Sequence, residues 1–238
     1  MNARARTISP VVITHHDPGA IASEAYRVLR TNLQFMGLDK PVKTILVTSA
    51  TPTEGKTTTA INLAVAFAQT GAKVLLIDAD LRRPTVAKVL GLDNWTGLTP
   101  ALISQEGPEN FVQVTGITGL TVLSSGPIPP NPAELLGSGR MERLLEHVAE
   151  AFDVVIIDTP PLLAVTDAAV LAPKVDGVLM VVRAGEVERA KVLRAKEALT
   201  AVKANLLGVV LTDVTTKDGE GYYYYYSSDG QGAVGRRT

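Results

Sequence analysis

The stretch that decides the fold is residues 44–58, TILVTSATPTEGKTT. It begins with an apolar, β-branched run from Thr44 to Thr48, which is typical of a buried strand. The residues from Ala50 to Thr57 then match the phosphate-loop pattern G-x-x-x-x-G-K-[ST], except that Ala50 stands in place of the first glycine. A helix is predicted to begin at Lys56, so the stretch predicts a strand, a phosphate loop and a helix in that order.

In such a loop the backbone N–H groups and the helix N-terminus surround phosphate oxygens. Lys56 is predicted to reach the β- and γ-phosphates of a nucleoside triphosphate, and the Thr57 hydroxyl to bind Mg²⁺. The alternative is a polar turn with an exposed lysine, which the flanking strand, the helix and the complete Gly-Lys-Thr disfavour. The predicted nucleotide contacts are Thr53, Glu54, Gly55, Lys56, Thr57 and Thr58.

Outward from this loop, short β-branched runs alternate with stretches of helical spacing. The predicted strands are Thr44 to Thr48, Val74 to Ile77, Leu120 to Leu123, Val154 to Ile157, Val178 to Val182 and Leu207 to Leu211. The predicted helices are Ile21 to Phe35, Lys56 to Gln69, Pro84 to Leu90, Arg140 to Ala151, Asp167 to Ala172 and Glu188 to Ala204. This order predicts a doubly wound α/β fold, with a mostly parallel sheet, strands buried on both faces and helices on both faces.

Composition indicates a globular protein of 238 residues, of which 46% are hydrophobic and 20% charged. We divide it into a flexible N-terminal arm (1–20), a P-loop domain (21–214) and a flexible tyrosine-rich tail (215–238). A net charge of -1 predicts no nucleic-acid partner. The absence of cysteine excludes disulfides, thiolate metal sites and cysteine nucleophiles. No apolar run approaches the roughly 20 residues that span a bilayer, so membrane association would require a partner.

Two further acidic motifs follow predicted strands. Asp158 ends the apolar run from Val154, which is the Walker B arrangement for binding Mg²⁺; a turn or helix-capping aspartate is the alternative. The run Asp78-Ala79-Asp80-Leu81-Arg82-Arg83 places two carboxylates on one side of an extended segment and two guanidinium groups after them. The arginines could pair with phosphate, with carboxylates of an adjacent subunit or with solvent, and we leave them outside the predicted catalytic set.

With its D-x-D-x-R pattern at Asp78 to Arg82, the chain resembles the bacterial tyrosine kinases of capsule and exopolysaccharide synthesis. The resemblance extends from about Ser23 to Tyr226 and implies a P-loop kinase that uses ATP and Mg²⁺. It implies catalytic roles for Lys56, Asp78 and Asp80. Asp78 would face the acceptor phenol as a base or orienting group, and Asp80 would join Thr57 and Asp158 around Mg²⁺, or the two aspartates would exchange roles.

The tail contains five of the six tyrosines of the chain in one uninterrupted run. A packed aromatic strand is the structural alternative, but five successive rings cannot all face one core because alternate side chains point to opposite faces. The resemblance implies that this cluster receives phosphate from a neighbouring molecule. The predicted phosphoacceptors are Tyr222, Tyr223, Tyr224, Tyr225 and Tyr226.

Glu24, Arg27 and Arg30 lie at three-residue steps along one side of a predicted helix. A solvated salt-bridge face would give the same pattern, whereas in the family that the chain resembles E-x-x-R-x-x-R assembles rings. The resemblance also implies a second partner, a membrane-embedded polysaccharide co-polymerase that activates the kinase. It implies a cytoplasmic protein that this partner recruits to the inner face of the cell membrane.

The chain departs from the family pattern at Thr212-Asp213, where the family usually has an asparagine in the purine-binding loop, so the base contacts stay open. Two rival functions also stay open. One is a partition or positioning ATPase of the ParA and MinD kind, whose signature lysine position holds Thr51 here. The other is an ATP-dependent structural switch for polysaccharide export. The family-like loop from Pro129 to Leu136 has no mechanism that we can assign.

Overall fold

Seven strands form one sheet in this computed structural model, which describes residues 7–36 and 41–214. They are β1 (Thr44–Ser49), β2 (Val74–Asp78), β3 (Gln113–Val114), β4 (Leu120–Leu123), β5 (Val154–Asp158), β6 (Gly177–Arg183) and β7 (Leu206–Thr212). Their order is β3-β4-β2-β5-β1-β6-β7, and every neighbouring pair is parallel except β3 and β4. The carboxyl ends of the parallel strands therefore all lie on the same side of the sheet.

Helices cover both faces of this sheet. They are α1 (Ile13–His16), α2 (Ile21–Met36), α3 (Lys56–Ala68), α4 (Val86–Leu90), α5 (Leu98–Ile103), α6 (Pro132–Gly137), α7 (Gly139–Ala151), α8 (Asp167–Leu171) and α9 (Arg189–Ala201). Successive residues of β1 serve opposite faces: Leu46 packs with the helices from α5 to α9, and Ile45 and Val47 pack with α2, α3 and α4. This is the predicted doubly wound α/β fold, which the structure confirms.

The six predicted strands are all present, with ends displaced by no more than one residue. The prediction that every strand is buried on both faces is wrong for β7. This strand lies at the edge of the sheet, and Val209 and Leu211 expose 48% and 59% of their surface. The six predicted helices are also present, whereas α1, α5, α6 and the two-residue strand β3 were not predicted.

The prediction of a loose arm through residue 20 is wrong from residue 7 onward. Val12 and Thr14 are buried against α3. The Asn62 side chain of α3 accepts hydrogen bonds from the Thr14 amide and hydroxyl, at 3.0 and 2.9 Å, and donates to the Val11 carbonyl at 2.9 Å. Gln69 donates to the Thr14 carbonyl at 2.7 Å. These bonds satisfy backbone groups that would otherwise be buried without partners, so the segment is part of the folded domain.

Candidate active site

The phosphate loop joins β1 to α3 and has the backbone that its glycine requires. Gly55 has φ of 89°, a left-handed conformation that glycine adopts without steric cost. A Cβ there would also come within 3.3 Å of the Thr212 side chain, whose hydroxyl donates to the Glu54 carbonyl at 2.9 Å. Thr53 has φ of 67°, which costs a residue with a side chain about 1 kcal/mol or more. Strain of this kind is concentrated at functional sites.

The register of the sheet brings the predicted carboxylates together. Asp78 of β2 is paired with Asp158 of β5, and Val47 of β1 is the other neighbour of Asp158. Because these strands are parallel, the loops that follow them meet at the carboxyl ends of the strands, where α3 also begins. The structure thus unites three motifs that are separated in sequence.

Asp158 and Thr57 form the part of the site best suited to a metal ion. The Thr57 hydroxyl donates to Asp158 Oδ2 at 2.7 Å. The second oxygen, Oδ1, is buried and has no hydrogen-bond partner among the described residues. A hydroxyl and a carboxylate oxygen with an unused lone pair are hard ligands of the type that Mg²⁺ prefers. The residues present therefore fit the predicted magnesium ion.

Lys56 is the first residue of α3, at the end of the phosphate loop, and its side chain is mostly buried. Its ammonium group is 3.2 Å from Asp80 Oδ2, and it is also 3.4 Å from the Thr57 hydroxyl. The second Asp80 oxygen accepts a hydrogen bond from the Arg83 amide at 3.0 Å. The lysine is thus held beside a carboxylate, at the place where it would meet phosphate oxygens.

A cavity of about 650 Å³ opens above these groups. This volume is typical of a site for a small ligand such as a nucleotide. One end is the phosphate loop and the other is a largely apolar wall from the loop between β5 and α8. The lining residues are Pro52, Thr53, Gly55, Lys56, Thr57, Thr58, Asp80, Arg82, Arg83, Thr85, Pro160, Pro161, Ala164 and Val165.

Three of the residues predicted for catalysis, nucleotide binding or metal binding do not line this cavity: Asp78, Glu54 and Asp158. Asp78 is fully buried, and its carboxylate accepts three backbone hydrogen bonds: from Asp80 at 3.2 Å and from Thr85 and Val86 at 3.1 Å each. Asp78 thus lies beneath the cavity, whereas Asp80 lines it, so Asp80 is the one of these two aspartates that an acceptor could contact. The Glu54 side chain is also buried and accepts from the Thr51 hydroxyl at 2.8 Å, within its own loop.

The sequence did not reveal one strong contact at the cavity. Arg82, which lines it, forms two hydrogen bonds with Asp167 at the start of α8. The run of two arginines after Asp80 was the available signal, but nothing in the sequence pointed to a partner 85 residues away. The apolar wall was also missed, because Pro160 to Val165 has no motif that marks a ligand site.

The predicted assembly residues contact their own chain. Arg27 bonds to Glu24 and to the Pro18 carbonyl. Arg30 donates to the Ala66 carbonyl in the last turn of α3 at 3.1 Å. The predicted tyrosine tail, 215–238, lies outside the described residues.

Burial changes the ionisation of the carboxyl pair in the absence of ligands. Burial raises the pKa of Asp78 to about 8, and the negative charge of Asp158 adds to the rise. Burial also raises the pKa of Asp158 to about 6, although the charge of nearby Lys56 opposes this shift. A site that holds a proton without ligands is suited to release it when cations arrive.

These shifts predict how stability depends on pH without nucleotide and metal. Because the folded-state pKa values of Asp78 and Asp158 are raised, the folded protein binds more protons than the unfolded chain from about pH 4 to about pH 8. The free energy of unfolding should therefore fall as the pH rises through this window. Urea unfolding in EDTA, followed by circular dichroism, measures it. Asp158→Asn should flatten the profile, and identical profiles for both proteins would contradict the prediction.

Similarity to known proteins identifies the family of the chain. The family described as AAA domain matches residues 42–191. The chain is 47% identical to tyrosine-protein kinase YwqD of Bacillus subtilis, over 92% of each chain. It is 35% identical to the putative tyrosine-protein kinase CapB of Staphylococcus aureus, over 96% of this chain and 100% of that one. The kinase domain of Escherichia coli tyrosine kinase ETK superposes with a TM-score of 0.83 at 36% identity, covering 90% of this chain and 85% of the other. The chain belongs to the bacterial tyrosine-protein kinases, which are built on a nucleotide-binding P-loop domain.

Proposed function

We propose that this kinase transfers phosphate from ATP, with Mg²⁺, to the C-terminal tyrosines of a neighbouring copy, and so regulates capsule or exopolysaccharide synthesis and export. The observation that supports the chemistry most strongly is the convergence of Lys56, Thr57 and Asp80 at one end of a single cavity, with Asp158 hydrogen-bonded to Thr57 behind its wall. Phosphoryl transfer depends mainly on positioning and on cations that offset phosphate charge. This convergence provides both.

In this proposal Thr57 and Asp158 hold Mg²⁺, which when bound offsets charge on the phosphate oxygens. Lys56 exchanges its contact with Asp80 for the β- and γ-phosphates. Asp80 is then the one carboxylate among the described residues of the cavity wall, where it can orient an acceptor hydroxyl. Asp78 supports it from below, because its backbone hydrogen bonds fix the loop that carries Asp80.

The reaction forms a bond between the tyrosine oxygen and the γ-phosphorus of ATP. The bond from that phosphorus to the β,γ-bridging oxygen breaks, and ADP leaves with the electron pair. The phenolic proton passes to Asp80 and then to water. Since free tyrosine has a pKa of about 10 and free aspartic acid one of about 4, the proton moves late, and Asp80 acts more by orientation than by basicity.

The position of β7 supports a tail that reaches an active site. Thr212, its last residue, contacts the phosphate loop, so the chain leaves the domain beside the cavity. From Asp213 to Tyr222 an extended segment spans roughly 30 Å at about 3.3 Å per residue. Phosphorylation would add nearly two negative charges per tyrosine at about pH 7, and the resulting repulsion would loosen an assembly.

Mass spectrometry of the purified protein after incubation with MgATP tests this function. The account expects phosphotyrosine within residues 222–226. The incubation is repeated with the cytoplasmic part of a membrane partner, because the proposal includes activation by a polysaccharide co-polymerase. No phosphotyrosine in the tail under either condition would contradict the proposal.

We also propose that copies assemble through α2. Ile21, Val28 and Phe35 lie seven residues apart on this helix and expose 69%, 48% and 65% of their surface. Seven residues are about two helical turns, so the three side chains form one apolar stripe. Exposed apolar stripes of this kind are typical of interaction surfaces. The ionic groups of Glu24 and Arg27 lie on the same helix and would contribute to such an interface.

Replacing Glu24, Arg27 and Arg30 together with alanine should therefore lower the oligomer mass, to that of smaller species or monomers. Light scattering measures the mass, and the melting temperature must be followed in parallel because Arg30 also binds the end of α3. A matched control is the triple alanine variant of Arg194, Lys196 and Glu197 on the exposed face of α9. An unchanged mass for the α2 variant would count against assembly through this helix.

Recruitment to the membrane is the remaining part of the proposal. Within residues 7–36 and 41–214, the helices are too short or too polar to cross a bilayer. The proposed co-polymerase would bring the kinase to the inner face of the cell membrane.

The alternative function of a ParA- or MinD-like ATPase gains no support at Thr51, the position of their signature lysine. The Thr51 hydroxyl and amide both bond to Glu54 within the loop.

A further inference from the structure

The ion pair of Arg82 and Asp167 is the strongest side-chain contact at the cavity that the proposed reaction does not yet use. Arg82 Nε and Nη2 donate to the two carboxylate oxygens of Asp167, both at 2.9 Å. This is a bidentate arrangement, which fixes the plane of the guanidinium group. Asp167 is fully buried, whereas the Arg82 side chain is 39% exposed and lines the cavity.

The pair joins two loops that both contribute residues to the cavity lining. Arg82 lies two residues after Asp80 in the loop between β2 and α4. Asp167 begins α8, directly after the loop that supplies the apolar wall. A buried carboxylate is costly unless it is paired, so Asp167 holds the guanidinium firmly at this place. Arg82 therefore links the loop that carries Asp80 to the end of the loop that supplies the apolar wall.

The chemistry of this region fits an aromatic ring better than a phosphate group. Lys56 and the loop amides already serve the phosphate end. The wall beyond Arg82 is formed by Pro160, Pro161, Ala164 and Val165, which offer apolar side chains to a ligand. A planar guanidinium group stacks on aromatic rings, and its positive charge is attracted to their faces.

We propose that Asp167 is a positioning residue for the acceptor: it holds Arg82 so that the ring of the acceptor tyrosine lies between the guanidinium group and the apolar wall. The tyrosine hydroxyl then points toward Asp80. This inference rests on the proposed function, since it assigns the acceptor side of that reaction. It predicts that acceptor binding depends on Asp167 although Asp167 is too deep to touch the acceptor.

The test uses full chains, with the inactive Lys56→Met protein as acceptor at increasing concentration. Asp167→Asn, which keeps the shape but removes the charge, should raise the KM for this acceptor about ten-fold, the effect expected of one lost cation–π contact. Calorimetric titration with MgADP should give a Kd within about two-fold of the wild-type value, a change too small to reflect a lost contact. Arg82→Lys keeps the positive charge but removes the planar, bidentate guanidinium group. It should therefore raise the acceptor KM and leave the Kd for MgADP unchanged, as Asp167→Asn does.

Several controls separate the possible outcomes. Arg194→Lys on α9 is the matched control and should change neither constant. If Asp167→Asn does not fold, the acceptor KM and the MgADP affinity of Arg82→Lys test the inference instead. An unchanged acceptor KM, or an equal loss of MgADP affinity, would overturn the inference while leaving the proposed function intact. Failure of the wild-type enzyme to phosphorylate the Lys56→Met chain would instead overturn both.

Discussion

Replacing Lys56 with methionine is expected to abolish ATP turnover and tyrosine phosphorylation, with a loss of roughly 10²- to 10³-fold or more, as for other single groups that stabilise transition-state charge. Lys56 is the cation held 3.2 Å from Asp80 at the phosphate end of the cavity. Methionine has a similar length and apolar stem, so the fold should be retained. Release of ADP and incorporation of radioactive phosphate measure the two activities.

A matched control is Lys196→Met, which removes an exposed lysine from α9 on the outside of the domain. It should retain full activity, since Lys196 is remote from the cavity lining. ATP turnover by Lys56→Met that equals the wild-type rate would contradict the assignment of the phosphate loop.

Changing the five tail tyrosines, 222–226, to phenylalanine should remove nearly all phosphotyrosine from the purified protein. The proposed reaction needs a phenolic oxygen as nucleophile, and phenylalanine keeps the ring without it. Binding of MgADP should persist, because the phosphate loop is unchanged. Antiphosphotyrosine blotting together with mass spectrometry of the tail measures the result.

Tyr26 provides the matched control because it is the one tyrosine of the chain outside the tail cluster. It lies on α2, is half-buried, and burial raises its pKa, so its hydroxyl is poorly placed to be an acceptor. Tyr26→Phe should therefore retain wild-type phosphotyrosine. Phosphorylation that survives in the tail variant but disappears in Tyr26→Phe would contradict the proposed acceptor.

The elements that could be predicted are those with a local signal. Lys56, Thr57 and Asp158 belong to motifs in which a strand and its following loop are contiguous in sequence, so their convergence follows from a parallel sheet. The long periodic helices and the β-branched strands were likewise predicted, with small errors at their ends. Short elements such as β3 have too few residues to show a period.

The features that could not be predicted depend on tertiary contacts. Asp78 and Asp80 were expected on one side of an extended segment, but β2 ends at Asp78, so the alternation of a strand no longer applies to Asp80. The Arg82–Asp167 pair and the Asn62–Thr14 contacts join residues 85 and 48 positions apart. Sequence periodicity reports on neighbours along the chain and does not identify contacts between residues that are far apart in sequence.

The most direct test of transfer between copies mixes two variants, neither of which can phosphorylate its own tail: the first lacks the acceptor hydroxyls and the second lacks the phosphate-loop lysine. One is the enzyme whose five tail tyrosines are phenylalanine, and the other is the Lys56→Met chain with an intact tail. After incubation with MgATP, mass spectrometry identifies which chain carries phosphate. The account predicts phosphotyrosine within residues 222–226 of the Lys56→Met chain. Wild-type protein incubated under the same conditions serves as the positive control. If its tail becomes phosphorylated while the tail of the Lys56→Met chain in the mixture stays unmodified, transfer between copies is contradicted.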